Sequence, residues 1–131
     1  MKKSKALWPM RGGITPNRIP LVEAEVAGEK LWLLVDTGFN GYLSLPDRLI
    51  KKLGLQKTGV LEAELADGSK TKFDFYVTTV GHVFGVDDDT EIIVWNAGKD
   101  DGGAIGMRLL EGCVALFNLA LNILDISEFQ E

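Results

Sequence analysis

The chain has 131 residues, of which 46% are hydrophobic, and its 14 Lys and Arg residues against 19 Asp and Glu residues give a net charge of −5. A chain of this length and composition forms one domain with its own core, which excludes a disordered chain and a miniprotein that depends on disulfides. The acidic balance argues against a nucleic-acid-binding surface.

Residues 1–17 are expected to form an N-terminal extension that is free to be flexible, and residues 18–131 a single domain.

The first part of this domain predicts a β-hairpin. Arg18 to Val26 predicts a strand that ends at a turn over Ala27-Gly28-Glu29-Lys30. The apolar run from Leu31 to Val35 follows without alternation, so it predicts a second strand buried on both faces.

A short helix and a second hairpin are predicted next. The helix is expected over Pro46 to Leu53, because Pro46 suits the first helical position and Gly54 suits the left-handed position after the last turn. Strands over Val60 to Ala66 and Thr71 to Val80 flank Asp67-Gly68, which is a strong signal for a hairpin turn.

The last third of the chain predicts three more strands and a second short helix. The strands are expected over His82 to Phe84, Ile92 to Trp95 and Phe117 to Ile123, and the helix over Met107 to Glu111. The most apolar stretch, Val114 to Ile126, is shorter than the roughly 20 residues of a membrane helix. We therefore expect a cytoplasmic, all-β protein, mainly β with two short helices, most simply arranged as a small closed barrel.

The motif with the most chemical content is Asp36-Thr37-Gly38, which follows the apolar strand. Burial raises the pKa of a carboxyl group, and a second carboxylate nearby raises one of the two further. Two such groups that share a proton can act as general base and general acid and activate water for attack on a peptide carbonyl. The tripeptide alone is weak evidence, because average composition yields Asp-(Thr/Ser)-Gly in about 5% of chains this long.

Other candidate chemistries are poorly supported. Cys113 and His82 are the only cysteine and histidine, so no Cys/His zinc cluster or disulfide can form within the chain. Asp87-Asp88-Asp89 lacks the alternating spacing of calcium ligands and predicts a solvated loop. We therefore expect no metal and no cofactor.

The order of the motifs resembles a known family. Asp36-Thr37-Gly38, a hairpin around Asp67-Gly68-Ser69, and Ala104-Ile105-Gly106 running into a terminal strand follow one another as in the retropepsin-like (clan AA) single-domain aspartic proteases. The segment from Phe39 to Pro46 is similar to the prokaryotic branch of that family. The resemblance runs from about Pro20 to Ile126.

This resemblance implies an aspartic-type peptidase with one active site on the two-fold axis of a homodimer, acting on a peptide or protein substrate. Asp36 of each chain would be catalytic, and Thr37 and Gly38 would brace the paired loops. Ala104-Ile105-Gly106 would pack beneath the active-site loop. The substrate-binding residues would be those after the motif and at the hairpin turn, namely Phe39, Asn40, Ala66, Asp67, Gly68 and Ser69.

Three positions depart from the retroviral pattern. Phe39 is bulky where those enzymes usually have alanine, so it could narrow the cleft. Asn40 stands near a position where they have a substrate-contacting aspartate, and Arg108 lies one place after their usual arginine. Two other functions therefore stay open: a dimeric barrel with little or no hydrolytic activity that binds peptides or a partner, and a monomeric β-barrel that binds a small ligand.

Overall fold

A computed structural model of the chain describes residues 10–81, 91–99 and 102–129. These residues form one helix, α1 (Asp47–Lys52), and ten strands. The strands are β1 (Met10–Ile14), β2 (Pro20–Val26), β3 (Glu29–Val35), β4 (Leu43–Leu45), β5 (Lys57–Glu64), β6 (Lys70–Gly81), β7 (Glu91–Asn96), β8 (Gly103–Ile105), β9 (Cys113–Asn118) and β10 (Ile123–Glu128).

All ten strands belong to one sheet. Their order is β5-β6-β7-β4-β8-β3-β2-β1-β10-β9, and an additional pairing of β2 with β6 joins six of them into a ring. β3 pairs with β8 in parallel, and β4 pairs with β7 in parallel, while the other neighbours are antiparallel. The all-β class predicted from the sequence is confirmed.

The core lies on one face of this curved sheet, because alternate residues of each strand point inward. β2, β3 and β10 each contribute two or three buried aliphatic side chains, and β4 and β7 contribute two each. The fully buried large residues include Leu33, Leu43, Leu45, Val94, Ile105, Leu109, Leu124 and Ile126.

The first hairpin is present as predicted. β2 and β3 are joined by the two-residue turn Ala27-Gly28, and both residues have positive φ, 50° and 84°, as a tight turn between twisted strands requires. The expectation that β3 is buried on both faces is wrong: Leu33 and Val35 are buried, whereas the Trp32 side chain is 58% exposed. Among the described residues, the second face of β3 is therefore largely open at Trp32.

The structure adds a strand inside the predicted extension over residues 1–17. β1 pairs with β2 on one side and with β10 on the other, and Arg11 Nε donates a hydrogen bond of 2.8 Å to Asp125. The strand predicted from Arg18 begins later, at Pro20, because Arg18 lies in a turn with a φ of 66° and donates its amide proton to the Thr15 carbonyl.

Helix α1 confirms the prediction over Pro46 to Leu53 with one change. Pro46 has extended φ and ψ and stands just before the first helical residue rather than in the first turn. Gly54 has a φ of 69°, as expected for the left-handed residue after a helix. Asp47 and Lys51 form an ion pair of 2.9 Å along the helix surface.

The second predicted helix, Met107 to Glu111, is wrong. This segment forms successive turns in which Leu109, Leu110 and Glu111 donate their amide protons to carbonyls three residues earlier. Only five residues lie between Gly106 and Gly112, whose φ of 83° ends the segment. The segment is therefore a run of turns and not an α-helix, because its amides bond to carbonyls three residues back instead of four.

The predicted strand over Phe117 to Ile123 is also wrong, because a hairpin loop interrupts it. β9 ends at Asn118 and β10 begins at Ile123, and these two residues pair. The Asn118 side chain accepts a hydrogen bond from the Leu121 amide, and Asn122 takes a left-handed φ of 56°. Both asparagines therefore act as turn residues, which outweighs the period-two apolar pattern.

Two predictions lie outside the described residues: the strand over His82 to Phe84, and the loop at Asp87-Asp88-Asp89. The strand over Ile92 to Trp95 is confirmed as β7, and Cys113 is half-buried against the core at the start of β9. In the described ranges, no helix has the length and apolar character needed to cross a membrane.

Candidate active site

Asp36 follows directly after β3, where the buried strand gives way to a turn. Its carboxylate Oδ1 accepts a hydrogen bond of 3.0 Å from the Gly38 amide, and its backbone carbonyl accepts one of 3.1 Å from the Phe39 amide. Asp36 itself is half-buried, while Thr37 and Gly38 are exposed. The turn thus fixes the carboxylate at the edge of the core with one face open.

The loop over residues 36–42, here called the Asp36 loop, is held from below by the segment 105–108. The Asp36 amide donates to the Ile105 carbonyl at 3.0 Å, and the Gly106 amide donates to the Tyr42 carbonyl at 3.0 Å. Like Gly106, Met107 and Arg108 donate their amide protons to the loop, to the carbonyls of Phe39 and Gly41 at 2.8 and 3.2 Å. These four bonds join the loop that begins with Asp36-Thr37-Gly38 to the segment that begins with Ile105-Gly106.

Gly106 is the closest point of this contact. A Cβ atom on Gly106 would lie 2.1 Å from the Gly41 carbonyl oxygen and 2.8 Å from the Phe39 carbonyl oxygen. No side chain fits there, because both obstacles are backbone atoms that the four hydrogen bonds hold in place. The glycine therefore permits the close backbone approach that positions the Asp36 loop.

The Phe39 side chain packs against Gly41, Gly106 and the indole of Trp95 in the same subunit. Hypothetical Cβ atoms on Gly41 and Gly106 would come within 2.6 and 2.7 Å of its ring. The Phe39 and Trp95 ring centroids are 5.5 Å apart at an interplanar angle of 76°, an edge-to-face pair. Trp95 in turn lies 5.3 Å from the Phe73 ring on β6.

The predicted substrate-binding turn is the exposed tip of the β5–β6 hairpin. In this hairpin tip, residues 66–69, Gly68 has a φ of 85° and the Leu65 amide donates to the Ser69 carbonyl. Asp67 accepts hydrogen bonds from the hydroxyl and the amide of Ser69, and these bonds lower the pKa of its carboxyl group. In the described part of the chain, no hydrogen bond or ion pair joins the hairpin tip to Asp36.

The described residues include no group of three His, Cys, Asp or Glu side chains placed to hold a metal ion. The Arg108 side chain is exposed and forms no ion pair with these residues. Its backbone amide is the part that contacts the Asp36 loop. Arg108, which lies one place after the usual arginine of the retroviral enzymes, therefore contacts the Asp36 loop through its backbone amide.

Comparison with solved structures identifies the fold. The chain superimposes on a retropepsin-like aspartic protease from Rickettsia conorii with a TM-score of 0.66, over 98% of this chain and 99% of that one, at 22% sequence identity. This chain has the retropepsin-like fold. No protein-family model matches the sequence, and no curated protein matches it.

Within this retropepsin-like fold, the structure brings together some of the predicted site residues. Asp36, Thr37, Gly38, Phe39 and Asn40 share one loop, over the backbone of 105–108. The four residues of the hairpin tip lie apart from this loop, at the end of the β5–β6 hairpin. Trp95 was not predicted to contact the site, because its sequence signal is that of any strand aromatic.

Proposed function

We propose that this chain is an aspartic endopeptidase that acts as a homodimer, with one Asp36 from each subunit in a shared active site. The observation that carries the proposal is the position of Asp36 in a loop that four backbone hydrogen bonds join to residues 105–108. It is supported by the retropepsin-like fold, which extends over nearly the whole chain. A half-buried carboxylate at the end of a rigid strand is suited to proton transfer, because its position changes little during the reaction.

In the proposed reaction, one Asp36 is ionised and its counterpart is protonated. The ionised carboxylate takes a proton from water while the water oxygen attacks the peptide carbonyl carbon, and the protonated carboxyl donates its proton to the carbonyl oxygen. The tetrahedral intermediate then collapses: the carboxyl that took the proton from water donates it to the amine nitrogen, and the C–N bond breaks. The other carboxylate takes back a proton from a diol hydroxyl as the carboxylic acid product forms. Water is the only co-reactant, and both acid–base groups are returned.

Dimerisation is a condition of this mechanism, because each chain contributes one Asp-Thr-Gly motif. A surface suited to association lies at the β9–β10 hairpin. β9 is at one end of the sheet, and four side chains around it are about half exposed or more: Val114, Leu116, Leu119 and Leu121. Exposed apolar side chains on an edge strand favour pairing with another chain.

The proposed substrate is an extended peptide that lies between the Asp36 loop and the hairpin tip. Its backbone would pair in β fashion, and its side chains would alternate between the two sides. Phe39 and Asn40 would contact it from the loop, and Ala66 to Ser69 from the tip. The Phe39 ring is packed on Gly41, Gly106 and Trp95, so its position does not depend on substrate.

The test is cleavage of a mixed peptide library, with products identified by mass spectrometry. Asp36→Asn should abolish cleavage, because the amide cannot act as the general base. Asp47→Asn is the matched control, since Asp47 is a half-buried carboxylate on α1 that is paired with Lys51 and lies outside the Asp36 loop, and it should retain activity. Cleavage at the wild-type rate by Asp36→Asn would contradict the proposal. Peptide binding without cleavage by the wild-type protein would instead favour a dimeric peptide-binding module.

A further inference from the structure

Three aromatic rings connect the Asp36 loop to the β5–β6 hairpin within one subunit. Phe39 belongs to the loop, Trp95 to β7 and Phe73 to β6 of the hairpin. Trp95 is the middle member, with ring centroids 5.5 Å from Phe39 and 5.3 Å from Phe73. All three side chains are half-buried, so each is packed on one side and open on the other.

The backbone places Trp95 at the same junction. β7 lies between β4, which follows the Asp36 loop, and β6, which leads from the hairpin tip. In the register, Trp95 is opposite Ser44 of β4 and opposite Phe75 of β6. Its indole also approaches the loop directly, because a Cβ atom on Gly41 would lie 3.4 Å from Nε1.

Phe39, the aromatic residue of the Asp36 loop, is hydrogen-bonded to Asp36 itself. Phe39 donates its amide proton to the Asp36 carbonyl at 3.1 Å and accepts one from the Met107 amide at 2.8 Å. Displacing the Phe39 ring therefore strains the backbone that holds the Asp36 turn. At the other end, Phe73 is paired with Leu61 across the hairpin, in the half of it nearer the tip.

We propose that Trp95 is a positioning residue that couples the β5–β6 hairpin to the Asp36 loop. A displacement of the hairpin shifts Phe73, the indole of Trp95 transmits the shift to Phe39, and the Asp36 turn responds. The coupling itself depends only on these contacts. Its consequence for catalysis, that closure of the hairpin over a substrate and alignment of Asp36 occur together, rests on the proposed protease function.

Hydrogen exchange in the full chain tests the coupling without requiring activity. Phe73→Leu changes the hairpin end, and the response is measured in residues 36–42, which Phe73 does not contact through a ring pair. We expect exchange there to accelerate between about two- and tenfold, as for loss of an aromatic contact. In a Trp95→Leu background, Phe73→Leu should have no further effect on residues 36–42.

Controls separate coupling from a general loss of stability. Exchange in β9 and β10 should stay unchanged in Phe73→Leu and Trp95→Leu, whereas global destabilisation would raise it. Trp95→Phe should restore most of the protection, and Trp32→Leu should leave residues 36–42 as in wild type, because Trp32 is 58% exposed on β3. If Phe73→Leu accelerates exchange only in the hairpin, the proposal is wrong.

A kinetic measurement adds the catalytic consequence. Trp95→Leu should raise KM through the loosened hairpin and lower kcat through the misaligned loop, and Trp95→Phe should recover both. A change in KM alone would contradict the coupling. If the wild-type protein cleaves no peptide, the protease function fails, while the exchange pattern still decides the role of Trp95.

Discussion

The amide of Asp36 donates a 3.0 Å hydrogen bond to the carbonyl of Ile105, although 69 positions separate the two residues in the sequence. β3 and β8 run parallel up to this point, with Val35 opposite Ile105. The bond therefore continues the strand ladder into the turn that carries the carboxylate. The stability of the Asp36 turn is consequently tied to the segment 103–108.

The first prediction concerns Gly106. Gly106→Ala should destabilise the fold by about 3 kcal/mol or more, because the added methyl group would overlap the Gly41 carbonyl oxygen at 2.1 Å. Urea unfolding of purified variants measures the change. Gly102→Ala is the matched control: a Cβ there meets no atom of the described residues within 4 Å, so the free energy of unfolding should change by about 0.5 kcal/mol or less. Equal stability of the two variants would refute the close contact.

The second prediction concerns the dimer surface. Leu116→Lys should raise the dimer dissociation constant about tenfold or more, because a charge would replace an apolar side chain in the proposed interface. Leu116 is 59% exposed in the single chain, so the fold of the monomer should be retained. Sedimentation over a concentration series measures the association.

Val60→Lys is a matched control for this surface. Val60 is 51% exposed on β5, the strand at the other end of the sheet. Each of the two residues lies opposite an aspartate on the neighbouring strand: Val60 opposite Asp74, and Leu116 opposite Asp125. The two lysines therefore enter similar electrostatic surroundings. An equal weakening of the dimer by both variants, or no change with Leu116→Lys, would move the interface away from β9.

The third prediction concerns the hairpin tip at low pH. The Ser69 hydroxyl and amide lower the pKa of Asp67 below its ordinary value of 3.8. Because the folded pKa is the lower one, ionised Asp67 stabilises the tip above pH 3.8, and this contribution is lost as the pH falls through the folded pKa. The tip should therefore stay ordered in mildly acidic solution.

NMR titration of the Asp67 carboxyl group tests this explanation. Ser69→Ala should move the pKa upward and leave it below 3.8, since the hydroxyl is the larger cause and the amide remains. Ser127→Ala, a serine on β10, should leave the Asp67 pKa unchanged. An unchanged pKa in Ser69→Ala would show that the hydrogen bond from the hydroxyl is not formed.

Local signals in the sequence were sufficient for the parts of the fold that depend on turns. Ala27-Gly28 and Asp67-Gly68 have the residues that tight hairpins require, and both hairpins are present. The order of Asp36-Thr37-Gly38 and Ala104-Ile105-Gly106 likewise indicated the retropepsin-like fold. The turn signals lie within a few neighbouring residues, whereas the signal for the fold lies in the order of two short motifs that are far apart in the chain.

The remaining features depend on distant partners. β1 contains two adjacent glycines and has little intrinsic strand preference, but it pairs with β2 and β10 on either side. Trp95 contacts the Asp36 loop only because β7 lies between β4 and β6. The hairpin at 119–122 was missed because its leucines continue a period-two pattern while Asn118 and Asn122 make the turn.

The most direct test of the shared active site is subunit mixing. Wild-type chains at fixed concentration are allowed to exchange with inactive Asp36→Asn chains, and cleavage is measured at saturating substrate. If both carboxylates are needed, random pairing with an equal amount of Asp36→Asn should lower activity to about half, and a tenfold excess should lower it to about one eleventh. Activity that stays constant as Asp36→Asn chains are added, after exchange is shown to be complete, would contradict the account.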